Sequence, residues 1–344
     1  MKIADFDYEL PAELIAQMPL KQRDASRMLV LDRGAEAWID SGFKEFTTYL
    51  RPSDVVVVNN SRVIPARLLG RREESGGQIE IFLVREIEPE VWDALVRPGG
   101  RLKKGARAVF GDGRLIAEML DEPGPELRRV RFHCEGPFHD VLAQIGSTPL
   151  PPYIKRPAGV STEDRERYQT VYSKQRGAIA APTAGLHFTS EVLEEVAKIA
   201  TLAEVTLHVG YGTFEPVRVD DVDQHSVSSE HYGISEAAAQ KINDAHANGG
   251  RVIVVGTTTM RALESSANER GEVVAGPGVA RLTIKPGYRF RVADALLTNF
   301  HLPRSSLLIL VSAFAGRDLI LRAYRHAVAE RYRFYSYGDC MLIL

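Results

Sequence analysis

The sequence predicts an α/β protein with a mainly parallel sheet, helices on both faces and an inserted small antiparallel β-barrel. Residues 55–58 are four consecutive valines, a run typical of a strand that is buried on both faces. From residue 202 onward strand patterns alternate with helix patterns, which favours parallel pairing. Between residues 70 and 150, short alternating strands and glycine-rich turns favour a barrel. We therefore expect a discontinuous α/β domain, residues 1–69 and 151–344, around a barrel domain of residues 70–150.

The individual elements follow from local patterns taken in chain order. Pro11 suits the first turn of a short helix, and Pro52 ends a helical pattern before the valine run. Thr189 can cap a helix that carries one apolar stripe, and Ser235 can cap the next helix. The predicted strands are residues 28–31, 55–58, 78–84, 107–109, 114–119, 127–133, 178–181, 202–209, 251–255, 289–297 and 341–344. The predicted helices are residues 7–17, 43–50, 165–173, 190–200, 235–247, 306–315 and 319–331.

Composition and charge indicate a soluble globular protein. Of the 344 residues, 44% are hydrophobic and 26% are charged, and the formal net charge is −2. No apolar run approaches the roughly 20 residues that a membrane-spanning helix needs, and the start of the chain lacks the apolar core of a signal peptide. We therefore expect a cytoplasmic protein without a membrane partner. No heptad or long apolar stripe forces association, so we expect a monomer.

The stretch GAIAAPTAGLHFT, residues 177–189, is predicted to form part of a ligand site. Its apolar run ends at Pro182, which removes a ladder donor. Thr183 and Gly185 follow, and small residues let a ligand approach the backbone closely. His187 adds a group that titrates near neutral pH, and the helix that follows presents its N-terminus to the same place.

Five predicted strands end in small, polar or titratable residues, and this recurrence strengthens the prediction of a site. The five ends read NNSR, PTAGLH, HVGYGTF, GTTTMR and TNFHLP. In open α/β sheets ligands bind beyond the carboxyl ends of the strands, so these runs are expected to meet. The sequence has no G-x-G-x-x-G after its first strand, no P-loop and no H-E-x-x-H. His225 and His231 are six residues apart, and we assign no metal to them.

Two pairs of residues near these motifs admit a structural alternative. Arg261 and Glu264 lie on one face of a predicted helix, where they can serve a ligand or form an intrahelical salt bridge. Tyr168 and Tyr172 share a predicted helical face and can pack inward or stack on a base. Inward packing is the commoner fate of such tyrosines.

Taken together, the motifs resemble one family, the S-adenosylmethionine:tRNA ribosyltransferase-isomerases of the queuosine pathway. The similarity runs nearly end to end, through FDYELPAELIAQ, RDASRMLVLDR, NNSRVIPARL, LPPYIKR, YQTVYS, GAIAAPTAGLHFT, LHVGYGTFEPV, VGTTTMRALES, LTNFHLP, LVSAFAG and YSYGDCMLI. Where the family usually reads H-x-M-H-x-E, this chain has Ser228 in place of the second histidine. We therefore place no catalytic role at that position.

The resemblance implies a fold similar to the one predicted above and S-adenosylmethionine as a ribosyl donor, with no separate cofactor. The implied acceptor is 7-aminomethyl-7-deazaguanine in the wobble position of tRNA. Adenine and methionine would leave, and an epoxycyclopentanediol would remain on the base as epoxyqueuosine. Two other functions stay open: an S-adenosylmethionine-dependent tRNA methyltransferase, which the missing glycine-rich turn disfavours, and a tRNA-binding protein without chemistry.

The resemblance and the strand-end positions together suggest site residues. We expect His187 and His301 to transfer protons, although a hydrogen-bonded core histidine is the alternative for His187. Thr257, Thr258 and Arg261 are expected to hold the methionine carboxylate at a helix N-terminus. Gly210, Gly212 and Phe214 are expected to border the adenosine of the donor. The other residues expected to bind the donor are Thr183, Gly185, Phe188, Thr213, Glu264 and Asn299. The residues expected to contact tRNA are Arg62, Arg67, Lys155 and Arg156.

Overall fold

The computed structural model describes residues 1–98, 103–124, 127–157, 159–210, 212 and 217–344. These residues contain seventeen strands: β1 (Arg27–Asp32), β2 (Ala37–Gly42), β3 (Val55–Asn59), β4 (Ser61–Val63), β5 (Arg67–Arg72), β6 (Gln78–Glu88), β7 (Val91–Arg97), β8 (Arg107–Phe110), β9 (Leu115–Asp121), β10 (Leu127–Cys134), β11 (Gln175–Ala178), β12 (Thr201–Leu207), β13 (Glu230–Ile234), β14 (Val252–Val255), β15 (Gly276–Ala280), β16 (Ala295–Asn299) and β17 (Cys340–Ile343). They also contain seven α-helices: α1 (Phe138–Ile145), α2 (Thr162–Arg167), α3 (Ser190–Ile199), α4 (Glu236–Ala247), α5 (Thr257–Ser266), α6 (Ser306–Ala315) and α7 (Arg317–Ala329). Within these ranges, every helix is too short or too polar to span a bilayer.

Nine strands form one large mixed sheet, so the prediction of a mainly parallel sheet is wrong. The strand order is β15-β13-β12-β3-β14-β16-β17-β1-β2. The four central strands β12, β3, β14 and β16 run parallel, as do β17 and β1. The other four of the eight neighbouring pairs are antiparallel. Strands β2, β13 and β15 were not predicted, because they are only partly buried and carry no continuous apolar run.

The valine strand β3 is buried on both faces, as its composition predicts. Val55 and Val57 pack on one side, in the core that also holds residues of helices α4 to α7. Val56 and Val58 pack on the other side, with residues of helix α3. Successive side chains of a strand point to opposite faces, which explains the alternation. Helices therefore cover both faces of the sheet.

A buried asparagine marks the point where β3 leaves the sheet. Asn59 has no exposed surface, and its Nδ2 donates to the Leu207 carbonyl at 2.9 Å. Its Oδ1 accepts from the N–H groups of Leu207 at 3.0 Å and Ser61 at 3.1 Å. The amide thus satisfies backbone groups of β12 that β3 no longer reaches, and the chain can turn into β4.

The predicted antiparallel barrel is present and closed. Its six strands follow the order β10-β7-β6-β5-β8-β9, each pairing is antiparallel, and β9 pairs with β10 to complete the ring. Alternate residues, such as Leu115 and Met119 of β9, point into the barrel core. The chain enters and leaves the barrel side by side, because Arg67 and Ser147 exchange two backbone hydrogen bonds. The domain limits at residues 70 and 150 stay a prediction.

Two predictions about short segments are wrong. Residues 178–181 are not a strand, because β11 ends at Ala178, opposite the last residue of its short partner, Val63. Residues 7–17 form no α-helix and hold a single 3-10 turn at Ala12–Leu14. In both places the local apolar pattern is present, but the regular element that it predicts is not formed. Within the described chain, residues 179–181 have no neighbouring strand to pair with, and residues 7–17 form only one short turn.

The predicted helix of residues 165–173 is also wrong, because α2 ends at Arg167. Tyr168 is the C-terminal cap of α2 and has no exposed surface. Tyr172 is buried as well and packs edge-on against Phe188. The inward-packing alternative therefore holds for both tyrosines.

Asp54 joins the starts of the neighbouring strands β3 and β14. It has no exposed surface and accepts hydrogen bonds from Arg251 Nε at 3.2 Å and Nη2 at 2.7 Å. The backbone N–H groups of Arg251 and Arg51 donate to the same carboxylate. Burial alone would raise the pKa of Asp54, but these hydrogen bonds hold it below its ordinary value.

We expect Asp54→Ala to lower the free energy of unfolding by about 3 kcal/mol, because Arg251 would keep a buried charge without its partner. The loss should be complete at neutral pH and shrink below about pH 4, where the carboxyl of the unfolded chain takes up a proton. Urea unfolding at neutral and acidic pH measures both effects. Glu195→Ala, on the exposed face of α3, is the control. Equal stability of Asp54→Ala and wild type would contradict the expectation.

Candidate active site

Two adjoining cavities lie beyond the carboxyl ends of the central strands. The narrow cavity, of about 50 Å³, is lined by residues that include Thr183, Thr257, Thr258, Thr298, Asn299 and His301. The wide cavity, of about 470 Å³, is lined by residues that include Gly212, Ser228, Glu230, Arg261, Thr283 and Arg304. Both share a wall made of Tyr153, Leu307 and Tyr335. Ligand pockets usually measure about 300–1,000 Å³, so the wide cavity has the size of one.

Four of the five polar strand ends contribute to these cavities. The runs PTAGLH, HVGYGTF, GTTTMR and TNFHLP each place residues on a cavity wall. The run NNSR does not, because Asn59 is turned toward β12 and Arg62 lines a different pocket. The strand ends therefore meet largely as the sequence predicts.

The N-terminus of helix α5 opens into the narrow cavity. Gly256 has a φ of +89°, a conformation that favours glycine, and it turns β14 directly into the helix. Thr257 and Thr258 follow and line the cavity. The hydroxyl of Thr258 is buried without a hydrogen-bond partner, although such groups normally have one. This turn thus offers free N–H groups, a dipole and a hydroxyl to an anionic group.

His301 lines the narrow cavity as a neutral imidazole. Its Nε2 lies 2.9 Å from Thr298 Oγ1, and its backbone N–H donates to the Tyr324 hydroxyl at 3.1 Å. Burial lowers the pKa of His301 to about 3, because the charged ring would lose its hydration. The ring therefore carries no charge at neutral pH.

His187 does not line the narrow cavity but a separate small pocket, so the structure does not bring it to the same wall as His301. Its Nδ1 lies 2.8 Å from Ser26 Oγ, and its ring packs against Phe43. Burial lowers the pKa of His187 to about 4, and the side chain of Asn299 partly opposes this shift. Apart from this contact with each other, the Nε2 of His187 and the Oδ1 of Asn299 have no hydrogen-bond partner. Asn299 lines the cavity and stands between it and the imidazole.

Two residues on the wall of the wide cavity have backbone conformations that are rare outside glycine. Tyr335 has a φ of +74° and Arg304 a φ of +56°. Such conformations cost roughly 1–3 kcal/mol each and are found preferentially at ligand sites. Asn299 braces Tyr335 by donating from Nδ2 to its carbonyl at 2.8 Å, and Arg304 donates to Asp7 at 2.8 Å. The cavity wall is therefore held in a conformation that the free backbone would not prefer.

Arg261 is buried beside the wide cavity and is bonded almost completely within the protein. Its Nη1 pairs with Glu230, which also accepts from the N–H of Gly210 at 2.9 Å. Its other nitrogens donate to three backbone carbonyls, those of Leu282 at 3.3 Å, Ser228 at 3.0 Å and Ala280 at 3.1 Å. These bonds use four of the five guanidinium N–H groups, so at most one remains for a ligand.

Three residues predicted to bind the donor lie away from both cavities. Glu264 forms no salt bridge with Arg261, because it accepts from the Tyr288 hydroxyl and from three successive backbone N–H groups, those of Arg291, Val292 and Ala293. Phe188 is fully buried among aromatic rings. Gly185 is needed for packing, because a Cβ there would lie 1.9 Å from the Tyr172 hydroxyl oxygen.

The other predicted donor-binding residues that the structure describes lie in or near the strand-end site. Thr183 lines the narrow cavity and Gly212 lines the wide one. Gly210 contributes through its N–H, which holds the carboxylate of Glu230. Thr213 and Phe214 lie outside the residues that the structure describes.

The four residues predicted to contact tRNA differ in how available their charges are. Arg156 forms a bidentate pair with the buried Asp164, with distances of 2.7 Å to 3.1 Å. Arg67 pairs with a barrel carboxylate at 2.9 Å. Arg62 and Lys155 are exposed, and neither has an ion-pair partner in the described part of the chain. Only the last two are therefore free to meet an anion without losing an internal partner.

Several residues of the cavity walls were not predicted, among them Tyr153, Glu230 and Ser336. The Tyr153 hydroxyl hydrogen-bonds to Ser336, and its ring lies edge-on to Tyr335 with 3.9 Å between the centroids. Tyr153 and Ser336 lie in the irregular segments LPPYIKR and YSYGDC, whose polar residues follow neither a helix nor a strand periodicity. Polar residues without such a periodicity were the signal by which these two could have been found. Glu230 is the glutamate that ends the H-x-M-H-x-E stretch, but its pairing with Arg261, which is distant in sequence, left no local pattern.

The mixed sheet, the closed barrel and the strand-end cavities define an α/β protein with a candidate site for a polar small molecule beside a neutral histidine. A family model described as "Queuosine biosynthesis protein" matches residues 3–343. The chain belongs to that family.

Individual relatives agree with the resemblance seen in the motifs. Two proteins, from Desulforamulus reducens and Symbiobacterium thermophilum, are each 51% identical over 345 residues, with 100% of both chains covered. Both are named S-adenosylmethionine:tRNA ribosyltransferase-isomerase. A crystal structure of the S-adenosylmethionine tRNA ribosyltransferase of Thermotoga maritima is also similar, with a TM-score of 0.55 and 38% identity. That comparison covers 99% of this chain and 100% of the other.

We expect neither His187 nor His301 to titrate between about pH 5.5 and pH 8, since burial lowers their pKa values to about 4 and about 3. His246 is an internal control, because its hydrogen bond with Asp294 at 2.9 Å raises its pKa above the ordinary value. NMR of histidine-labelled protein should show the His246 ring resonances moving with a midpoint above about 6.5, while the other two stay constant. A midpoint near 6.5 for either buried ring would contradict this account.

Proposed function

We infer that this chain is an S-adenosylmethionine:tRNA ribosyltransferase-isomerase of queuosine biosynthesis. The observation that carries the inference is the match over the whole chain, at 51% identity, to two relatives with that name. The position of the cavities beyond the carboxyl ends of the strands supports it, because this is where α/β proteins bind nucleotide-like molecules.

In this proposal S-adenosylmethionine donates its ribosyl group to 7-aminomethyl-7-deazaguanine in the wobble position of tRNA. The products are epoxyqueuosine in tRNA, adenine and methionine, and no further cofactor takes part. The reaction takes place in the cytoplasm, and the active unit is a monomer. In this proposal the large polar acceptor reaches the wide cavity beside Arg304, an exposed arginine that is paired with Asp7.

The adenosine of the donor occupies the wide cavity, and the methionine end occupies the narrow one. Gly212 borders the wide cavity, whose volume suits a nucleoside. Thr257 and Thr258 hold the carboxylate at the N-terminus of α5, where the helix dipole favours negative charge. Arg261 contributes chiefly by fixing Glu230 and the cavity wall, since a single N–H is left to it.

His301 is the group that transfers protons in this proposal. A neutral imidazole does not repel the sulfonium of the donor, whereas a charged one would do so strongly in a buried site. The sulfonium acidifies the neighbouring C5′ hydrogens, so a neutral base beside it can accept one. The departing adenine then needs a proton, which the same ring can return. His187 acts as a positioning residue, through its packing behind Asn299.

The first test is the mass of the product. An anticodon stem-loop that carries the aminomethyl base is incubated with the protein and S-adenosylmethionine. We expect a mass gain equal to a ribose-derived epoxycyclopentanediol, with adenine and methionine released in equal amounts. A methyl-sized gain with S-adenosylhomocysteine would overturn the proposal in favour of a methyltransferase, and tRNA binding without any mass change would favour a binding protein.

We expect His301→Gln to lower kcat by about 10²–10⁴, the usual contribution of a positioned acid–base group. The affinity for S-adenosylmethionine should stay close to wild type, because glutamine keeps the hydrogen bond to Thr298 and much of the volume. Single-turnover rates and equilibrium dialysis separate the two quantities. His133→Gln, on the exposed face of the barrel, is the matched control. Turnover of His301→Gln near the wild-type rate would rule out this role.

A further inference from the structure

A third pocket, away from the two cavities, gathers three arginines. It lies beside the paired segments that connect the sheet to the barrel and has a volume of about 90 Å³. Arg62 comes from β4, Arg165 from α2 and Arg176 from β11, and His139 of α1 completes the polar wall. No carboxylate lines the pocket among the described residues. We call this site the arginine pocket.

Two of these arginines face each other across a strand pair. Arg62 and Arg176 are register partners in the parallel pairing of β4 and β11. Like charges at directly opposed positions of a sheet destabilise the pairing. The arrangement is therefore unfavourable in the free protein, and an anion between the two guanidinium groups would relieve it.

The charges of the arginine pocket are also largely free. Arg62 and Arg165 have no ion-pair partner in the described parts of the chain, and both are exposed. Arg176 has one distant partner, Asp140, at 3.9 Å. By contrast Arg67 and Arg156 are held by internal carboxylates at 2.9 Å and 2.7 Å. The pocket thus keeps its positive charge for an external ligand.

The floor of the pocket is fixed, so the arginines start from a defined scaffold. The side chain of Gln169 accepts from the N–H of Val63 at 3.0 Å and donates to its carbonyl at 2.8 Å. This pair ties the residue that follows Arg62 to the segment after α2. A guanidinium is a planar fork that binds phosphate through two parallel N–H groups, and three such forks around one small pocket suit a single phosphate.

We propose that the arginine pocket seats one phosphodiester of the tRNA backbone, an inference that rests on the proposed function. Thr148 lines the pocket, and Pro152, four residues later, lines the wide cavity. Four residues span at most about 14 Å, so the seated phosphate lies within a few nucleotides of the reacting base. Arg62, Arg165 and Arg176 then fix the register of the anticodon arm without reading its sequence.

The test replaces Arg62, Arg165 and Arg176 together by alanine and measures binding of an unmodified tRNA transcript over a range of salt concentrations. We expect the dissociation constant at about 0.1 M salt to rise by about tenfold, and the slope of log K against log salt to fall by about 1. A triple lysine variant keeps the charges and should keep the slope while binding more weakly. Arg325→Ala is the control. Arg325 is exposed on α7, a helix that contacts Glu36 beside the edge strand β2.

Unchanged affinity and slope in the triple alanine variant would overturn the proposal, as would wild-type tRNA binding that does not respond to salt. Donor affinity is measured in parallel and should not change, since none of the three arginines lines either cavity. In the product assay the variant should show a higher KM for the stem-loop with an unaltered kcat. If the wild type binds tRNA through this pocket but forms no ribosyl product, the proposed function fails while the phosphate site stands.

Discussion

The structure depends on how its central strand ends. Asn59 offers its side-chain amide to β12 in place of a backbone neighbour, so β3 can stop in the middle of the sheet without leaving buried polar groups unsatisfied. The chain then crosses into β4 and on to the barrel. The ends of the neighbouring strands β12, β14 and β16 then lead to the two cavities, whose walls the end of β3 does not reach.

In the resulting site the charged groups and the candidate proton-transfer groups are different residues. Its positive end is built from a helix terminus, and its ion pair of Arg261 with Glu230 is consumed by internal contacts. The imidazoles are uncharged because they are buried. A cationic donor can therefore enter a region that contains proton acceptors but no unpaired cation among the described cavity residues, since Arg304 is paired with Asp7.

The parts that sequence could predict are those with a local cause. The valines of β3 and the apolar run of α6 need no partner to be recognised, and α6 spans the predicted residues 306–315. The direction of β17 in the sheet could not be predicted, because its apolar run is compatible with both parallel and antiparallel pairing. Strand-end polarity located the cavities, but it did not show that His187 would lie outside the narrow cavity. The partners of Arg261 come from two distant segments, residues 228–230 and 280–282. Such long-range contacts leave no periodic trace.

The two backbone hydrogen bonds between Arg67 and Ser147 hold the entry and exit of the barrel next to each other. The whole barrel therefore occupies the place in the chain that the loop of a β-hairpin would occupy. Its six strands form their own hydrogen-bonded ring and lend none to the large sheet. Because no barrel strand pairs with a strand of the large sheet, the length of the barrel strands and loops can differ without altering the order of the sheet strands.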